Sequence, residues 1–209
     1  MNYAIRDYLQ WQKWVVPRLL RNKPIHNWLV FPHSFTDDLV KALLEEWEVG
    51  NDKIVLDPFS GAGTTLVAAK ELGIPAIGTD LSHFSELVVR AKITSVDPEL
   101  LREGLNQLRK ALSKKNTTID LTFYPELVRK ALPEKKLTYF HLAKAAIVNL
   151  NFPESIKDLL MLALISLIPK YSNAVATGGW LSWKKNERPA EHIENDLFAK
   201  VHQMSNDIR

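Results

Sequence analysis

The residues of this chain best suited to chemistry are two aspartates and two glycines, set around a short loop. In DPFSGAGTT, Asp57 to Thr65, an acid follows the apolar run Ile54–Leu56, and the carboxyl ends of strands in open α/β sheets are where ligands sit. Pro58 and Phe59 stiffen the exit from that strand. Gly61 and Gly63 remove Cβ atoms where the backbone must turn sharply and a ligand must come close. Thr64 and Thr65 then open a helix, whose free N–H groups favour an anion and whose hydroxyls can donate to it. Asp57 is an acceptor at neutral pH and suits an ammonium or a hydroxyl. A second acid, Asp80, closes the next short strand, Pro75–Thr79, where two carboxylate oxygens can receive a vicinal diol.

An anion, an ammonium and a diol are together the handles of an amino acid joined to a nucleoside, and S-adenosylmethionine carries all three. A G-x-G alone is also compatible with a tight turn that binds nothing. A nicotinamide dinucleotide site normally has a third glycine, which Thr64-Thr65-Leu66-Val67 does not supply. A P-loop needs G-K-[ST], and GAGTTL has threonine where the lysine would stand.

The elements that must position these groups follow from periodicity. The chain to about Val30 reads as mainly helical, broken at Pro17 and Pro24. Phe31–Phe35 is a loop, and Thr36 caps a helix through Leu39, Leu43, Leu44 and Trp47. Ile54, Val55 and Leu56 form a continuous apolar run, as expected for a strand buried on both faces. Thr65–Leu72 is a helix stopped at Gly73. The sum is strand–loop–helix–strand within roughly thirty residues, the size of one mononucleotide-binding unit. Ser85 to about Lys115 is helical with a restart at Asp97-Pro98, and Lys114–Thr118 is a linker. Helices are expected around Pro125–Leu132, Leu137–Val148 and Pro153–Ile168, then a glycine-containing loop at Thr177–Trp183 and an amphipathic helix from Glu191 to Ile208. The expected fold class is α/β, Rossmann-like, with an incomplete sheet and a largely helical second half. Three regions are drawn: residues 1–30, basic and aromatic; 31–115, the cofactor-binding subdomain; and 116–209, a helical region for target recognition or partner contact.

Composition sets the outer limits. A hydrophobic fraction of 46% and a charged fraction of 24% over 209 residues are those of an ordinary globular protein. The absence of cysteine excludes disulfides and thiolate zinc sites and is compatible with a reducing cytoplasm. Leu159–Ile168 is the longest apolar run, about half of the ~20 residues a spanning helix needs, so a core helix is expected there and no membrane partner. A net charge of +3 says little, but its distribution says more. Arg6, Lys13, Arg18, Arg21 and Lys23 interleave with Trp11, Trp14 and Trp28; Lys170, Lys184, Lys185 and Arg188 lie beside Trp180 and Trp183. Both stretches suit a polyanionic partner, or equally a solvated face over buried tryptophans.

DPFSGAGTT resembles the cofactor motif of bacterial and archaeal DNA methyltransferases that act on adenine N6 or cytosine N4, which typically read DPF-x-G-S-G-T-T. Ala62 replaces the serine. FPHSFTDDLVKALLE (Phe31–Glu45) is similar to the family segment that closes over the methionine end, and GIPAIGTDLSHFSELVVRAK (Gly73–Lys92) to the following strand, acid and helix. The resemblance is strong over about Phe31–Thr94 and fainter over Tyr124–Ser172. It implies that Asp57 and Thr65 hold the methionine moiety, with Phe59, Gly61, Gly63 and Thr64 shaping the loop. It implies further that Asp80 takes the ribose, Leu81 packs on adenine, and Phe31, Pro32 and His33 flank the carboxylate.

One departure matters. The family's second motif, [DNS]-P-P-[YFW], accepts from the target amine and stacks on the flipped base, yet no two of the 11 prolines here are adjacent. The expectation is therefore the cofactor-binding portion of a DNA amino-methyltransferase, inactive alone, with no catalytic or metal-ligating residue in this chain. The catalytic motif is expected downstream or in a second polypeptide, and DNA is the expected partner. The alternatives are an RNA or small-molecule methyltransferase, or a non-catalytic regulatory subunit.

Overall fold

The chain divides into two compact units, Met1–Thr94 and Ser95–Arg209. The computed structural model describes residues 7–113, 119–177 and 180–208. The expected linker at Lys114–Thr118 lies outside the described residues.

In the first unit the N-terminal stretch is helical as 3-10 turns rather than α-helix, over Leu9–Trp14, Pro17–Asn22 and His26–Trp28. Prolines 17 and 24 interrupt it too often for a longer α-helix to propagate. Tyr8 stacks on Trp11 at 4.2 Å and Trp11 on Trp14 at 6.2 Å, and Trp28 is buried. Most of these aromatics are thus used in packing. Helix α1 (Asp37–Glu46) follows with Thr36 at the N-cap. The Thr36 hydroxyl makes no capping bond and finds no partner among the described residues, so Asp37 and Asp38 in the first turn supply the favourable charge.

Strand β1 (Val55–Asp57) pairs in parallel with β2 (Ala76–Gly78), with Leu56 opposite Ile77, and α2 (Thr64–Glu71) makes the crossover. Val55 and Ala76 pack on one face against Val40, Leu44, Ala68, Ala69 and Ile74. The opposite face is bare. Leu56 is 64% exposed, and Ile54 and Ile77 are more than half exposed. Within the first unit this corrects the expectation of burial on both faces: α1 and α2 cover one side, and no other described element of that unit covers the other. Helix α3 (His83–Ile93) completes the unit.

The second unit is mainly helical, with α4 (Pro98–Ser113), α5 (Glu126–Ala131), α6 (Glu134–Val148), α7 (Glu154–Ser166), α8 (Ile168–Tyr171) and α9 (His192–Asp207). Four of them start on a Pro-Glu pair, at 98, 125, 133 and 153. Proline is preset for a helix start, and an acid in the first turn meets the positive end of the dipole. The apolar run expected as a core helix is the buried centre, with Leu159, Leu160, Leu162 and Ala163 fully enclosed. Helix α4, grouped with the first half on sequence, packs here: Leu101, Leu105 and Leu108 are buried, and a Cβ on Gly104 would lie 2.9 Å from Ile156 Cγ2.

A hairpin replaces the loop expected at Thr177–Trp183. Strand β3 (Ala174–Thr177) pairs antiparallel with β4 (Trp180–Trp183), and Gly178 and Gly179 lie outside the described residues. No described helix is long and apolar enough to cross a membrane.

Candidate cofactor site

The parallel ladder sets Asp57 and Asp80 at the same end of two neighbouring strands, with the glycine loop between them. Leu56 opposite Ile77 and Asp57 opposite Gly78 fix that register. The ladder continues past the strands, with Thr79 N–H donating to the Asp57 carbonyl at 2.9 Å and Ser60 N–H to the Thr79 carbonyl at 2.9 Å. The Thr79 hydroxyl closes the other side by donating to the Pro58 carbonyl at 3.0 Å.

Gly61 and Gly63 have φ of +50° and +78°, a region costly for any residue with a Cβ. Gly63 is the N-cap of α2, and a Cβ there would lie 3.0 Å from Val89 Cγ2. At Gly61 a Cβ would meet nothing closer than 3.9 Å, from Phe31 Cδ2 and the Phe59 carbonyl. The loop is therefore tight towards α3 at Gly63 and open at Gly61. Thr64 and Thr65 occupy the first two positions of α2, where N–H groups have no intrahelical partner.

The two acids are held differently. One Asp57 oxygen accepts from Phe59 N–H at 3.1 Å, which leaves Oδ2 for a ligand. Asp80 accepts from Ser82 N–H at 2.9 Å and from Gly61 N–H at 2.9 Å. Those two N–H groups, Ser82 first, keep its carboxyl below the usual carboxylate range. Asp80 is thus an ionised hook that also pins the glycine loop. Leu81 beside it is fully exposed and Phe59 nearly so. Phe31 reaches the loop at Gly61, whereas Pro32 and His33 follow in an exposed turn.

Two participants escape a reading of the sequence. Phe84 stacks on Phe31, with centroids 5.7 Å apart and planes 10° from parallel, making an aromatic wall beside Gly61. Lys92 is 3% exposed, and its ammonium donates to the carbonyls of Leu29 at 2.8 Å, Ala62 at 3.1 Å and, more weakly, His26 at 3.4 Å. It ties the glycine loop to the N-terminal turns. A signal for it exists, since Lys92 lies four residues after buried Val88 and so on the same helix face.

One further group cluster lies behind the loop. His26, Asp37 and Glu71 bring ligand-type atoms within 4.8 Å of one another. Lys23 reaches Asp37 at 2.6 Å, and Lys41 reaches Asp37 at 2.9 Å and Glu71 at 2.7 Å. With both carboxylates already held by ammonium groups, this is an ion-pair cluster joining the N-terminal turns to α1 and α2.

Comparison with known proteins bears on this arrangement directly: residues 5–88 match the DNA methylase family. Over these residues the chain is similar to DNA methyltransferases. It is 30% identical over 169 residues, 78% of its length, to the type II methyltransferase M.BsoBI of Geobacillus stearothermophilus, covering 32% of that protein. The type II methyltransferase M.MjaII of Methanocaldococcus jannaschii is 31% identical over 72% of the chain and 29% of the relative. M.AvaI of Anabaena variabilis is 27% identical over 86% of the chain and 37% of the relative. The chain thus spans about a third of the length of the curated relatives it matches. No solved structure matches it.

Proposed function

We propose that the chain is the S-adenosylmethionine-binding portion of a DNA amino-methyltransferase, transferring methyl to adenine N6 or cytosine N4. One observation carries the reading. Two acids end adjacent parallel strands on either side of an open glycine turn, which runs directly into a helix N-terminus. That donor and acceptor set fits the three handles of the cofactor: α2 and the threonines for the carboxylate, Asp57 for the ammonium, Asp80 for the ribose. Leu81 and Phe59 offer apolar surface for adenine, and Phe31 with Phe84 walls the methionine end, with Pro32 and His33 beside it.

When bound, S-adenosylmethionine supplies a methyl group on a sulfonium, open to attack by an amine. The work of this chain's residues is to hold that methyl in a fixed place. Fixed orientation of reacting groups is worth up to roughly 7–11 kcal/mol of a barrier. Polarisation of the amine falls to the [DNS]-P-P-[YFW] motif, which we place in the remaining two thirds of a protein of the relatives' size or in a partner chain. The bare face of Ile54, Leu56 and Ile77 supports this, because a Rossmann-like sheet is covered on both faces.

Titration calorimetry of the 209-residue chain with S-adenosylmethionine tests the proposal. One saturable site is expected, weakened at least tenfold by Asp80→Ala while the fold is kept. A chain that is folded by circular dichroism and takes up no cofactor overturns it.

A further inference from the structure

The second unit carries a feature the cofactor site does not use. Hairpin β3–β4 projects Trp180 with 81% of its surface exposed, and Leu181 is exposed next to it. Trp180 stacks on no other ring among the described residues, unlike the paired aromatics of the N-terminal turns. Trp183, on the same strand, is covered by the Lys130 ammonium 4.4 Å above its ring.

From the hairpin the chain passes directly into Lys184, Lys185 and Arg188. These line a cleft of about 810 Å³ together with Pro169, Ser172 and His192. Lys184 and Arg188 make no ion pair among the described residues, and Lys185 pairs only with the exposed Glu187 at 3.4 Å.

The backbone of this basic segment is tied down by hydrogen bonds. Lys184 N–H donates to the Asn173 carbonyl at 2.8 Å, and Asn186 N–H to Asn173 Oδ1 at 2.8 Å. The Asn186 amide donates to the carbonyls of Lys170 at 2.9 Å and Ser172 at 3.1 Å. Buried Lys136 donates to the carbonyls of Tyr171 at 3.0 Å and Asn186 at 2.8 Å. These bonds hold the backbone from which three exposed cations project, and a preformed backbone lowers the ordering cost of gripping a polyanion.

We propose that hairpin β3–β4 and the segment Lys184–Arg188 form a DNA-binding surface, with backbone phosphates in the basic cleft and Trp180 against a base or sugar. The proposal rests on the methyltransferase reading for its choice of polyanion. Charge complementarity and the unstacked indole carry the rest, since neutralised phosphates supply affinity and an aromatic face adds stacking.

Fluorescence anisotropy with a labelled non-specific DNA, duplex and single strand, over a range of salt tests it on the whole chain. Lys184→Ala with Arg188→Ala is expected to weaken binding at least tenfold and to reduce the slope of log affinity against log salt by about 1–2, near 0.9 per phosphate contact. Trp180→Ala is expected to weaken single-strand binding roughly fivefold or more and leave the salt slope unchanged. Wild-type protein that binds no DNA, variants that bind as wild type, or tighter binding to RNA of the same sequence would each overturn the assignment. S-adenosylmethionine calorimetry on the same variants separates the two readings: unchanged uptake beside unchanged DNA binding sinks only the surface, and lost uptake in the wild type sinks the cofactor site.

Discussion

Replacing Lys92 by methionine tests whether the glycine loop is held from behind. Methionine keeps most of the aliphatic volume and removes the ammonium. Two good charge-assisted bonds are lost, to Leu29 and Ala62 at 2.8 and 3.1 Å, with a weak third to His26 at 3.4 Å. Hydrogen bonds to a charged group contribute about 1.5–3 kcal/mol each, so the loss is roughly 3–6 kcal/mol. Against it stands relief from burying a cation, which costs several kcal/mol in its own right. The net expectation is a destabilisation of about 2–4 kcal/mol. Urea unfolding followed by tryptophan fluorescence reads it as a lower midpoint at unchanged slope, since the surface exposed on unfolding hardly changes. Because Ala62 belongs to the loop, affinity for S-adenosylmethionine should also fall at a urea-free temperature where the variant is still folded. A stability change below about 1 kcal/mol together with unaltered cofactor affinity would refute the clamp.

Four further outcomes follow from other features. Gly63→Ala places a Cβ at φ +78° and 3.0 Å from Val89 Cγ2; it should cost about 1–3 kcal/mol and reduce cofactor uptake, checked by thermal melting and calorimetry. Gly104→Ala puts a methyl 2.9 Å from Ile156 Cγ2, and overpacking should outweigh the gain in helix propensity by about 1 kcal/mol in a denaturant titration. Leu56→Ser with Ile77→Ser should lower binding of a hydrophobic dye and leave stability within about 1 kcal/mol, as both side chains are exposed; a large loss of stability would mean that face is covered.

The fourth concerns pH. Burial, against the pull of Asp37 and Glu71 and helped by Lys92 and Lys41, pushes the His26 imidazole below its ordinary value. The folded protein therefore keeps His26 neutral where the unfolded chain, titrating near 6.5, takes up a proton. Its contribution is fully present above about pH 6.5 and is lost as pH falls towards the depressed folded value, with a slope of at most about 1.4 kcal/mol per pH unit. His26→Leu should flatten the dependence of unfolding free energy between pH 6.5 and 5. Equal slopes in the two proteins would sink the argument.

What could be read from residues alone follows from how local each constraint is. The glycine turn was legible because positive φ at Gly61 and Gly63, and acids at strand ends, are demands of a few adjacent residues. The Pro-Glu helix starts and the buried Leu159–Leu164 face are local in the same sense. The state of the sheet was not. Ile54–Leu56 is apolar enough for two covered faces, but coverage depends on elements that the run itself does not specify. Hairpin β3–β4 is not legible in the sequence because all four residues of β4 are exposed and show no alternation; its support comes in part from Asn173, bonded to Lys130 and Ala131, and Asn186, bonded to Lys136, partners far away in sequence. Lys92 reads as surface until His26 and Leu29, more than sixty positions earlier, are folded onto it.

The bond from Gly61 N–H to Asp80 has a consequence for cooperativity. The carboxylate proposed to receive a ribose also fixes the turn proposed to receive the amino-acid end. Occupying one half of such a site stiffens the other, so the free energies of binding adenosine and methionine separately should not sum to that of the joined molecule, even after allowing for the entropy of linking them. A shortfall or surplus in that sum, measured with the two fragments together, would give the coupling energy passing through one hydrogen bond.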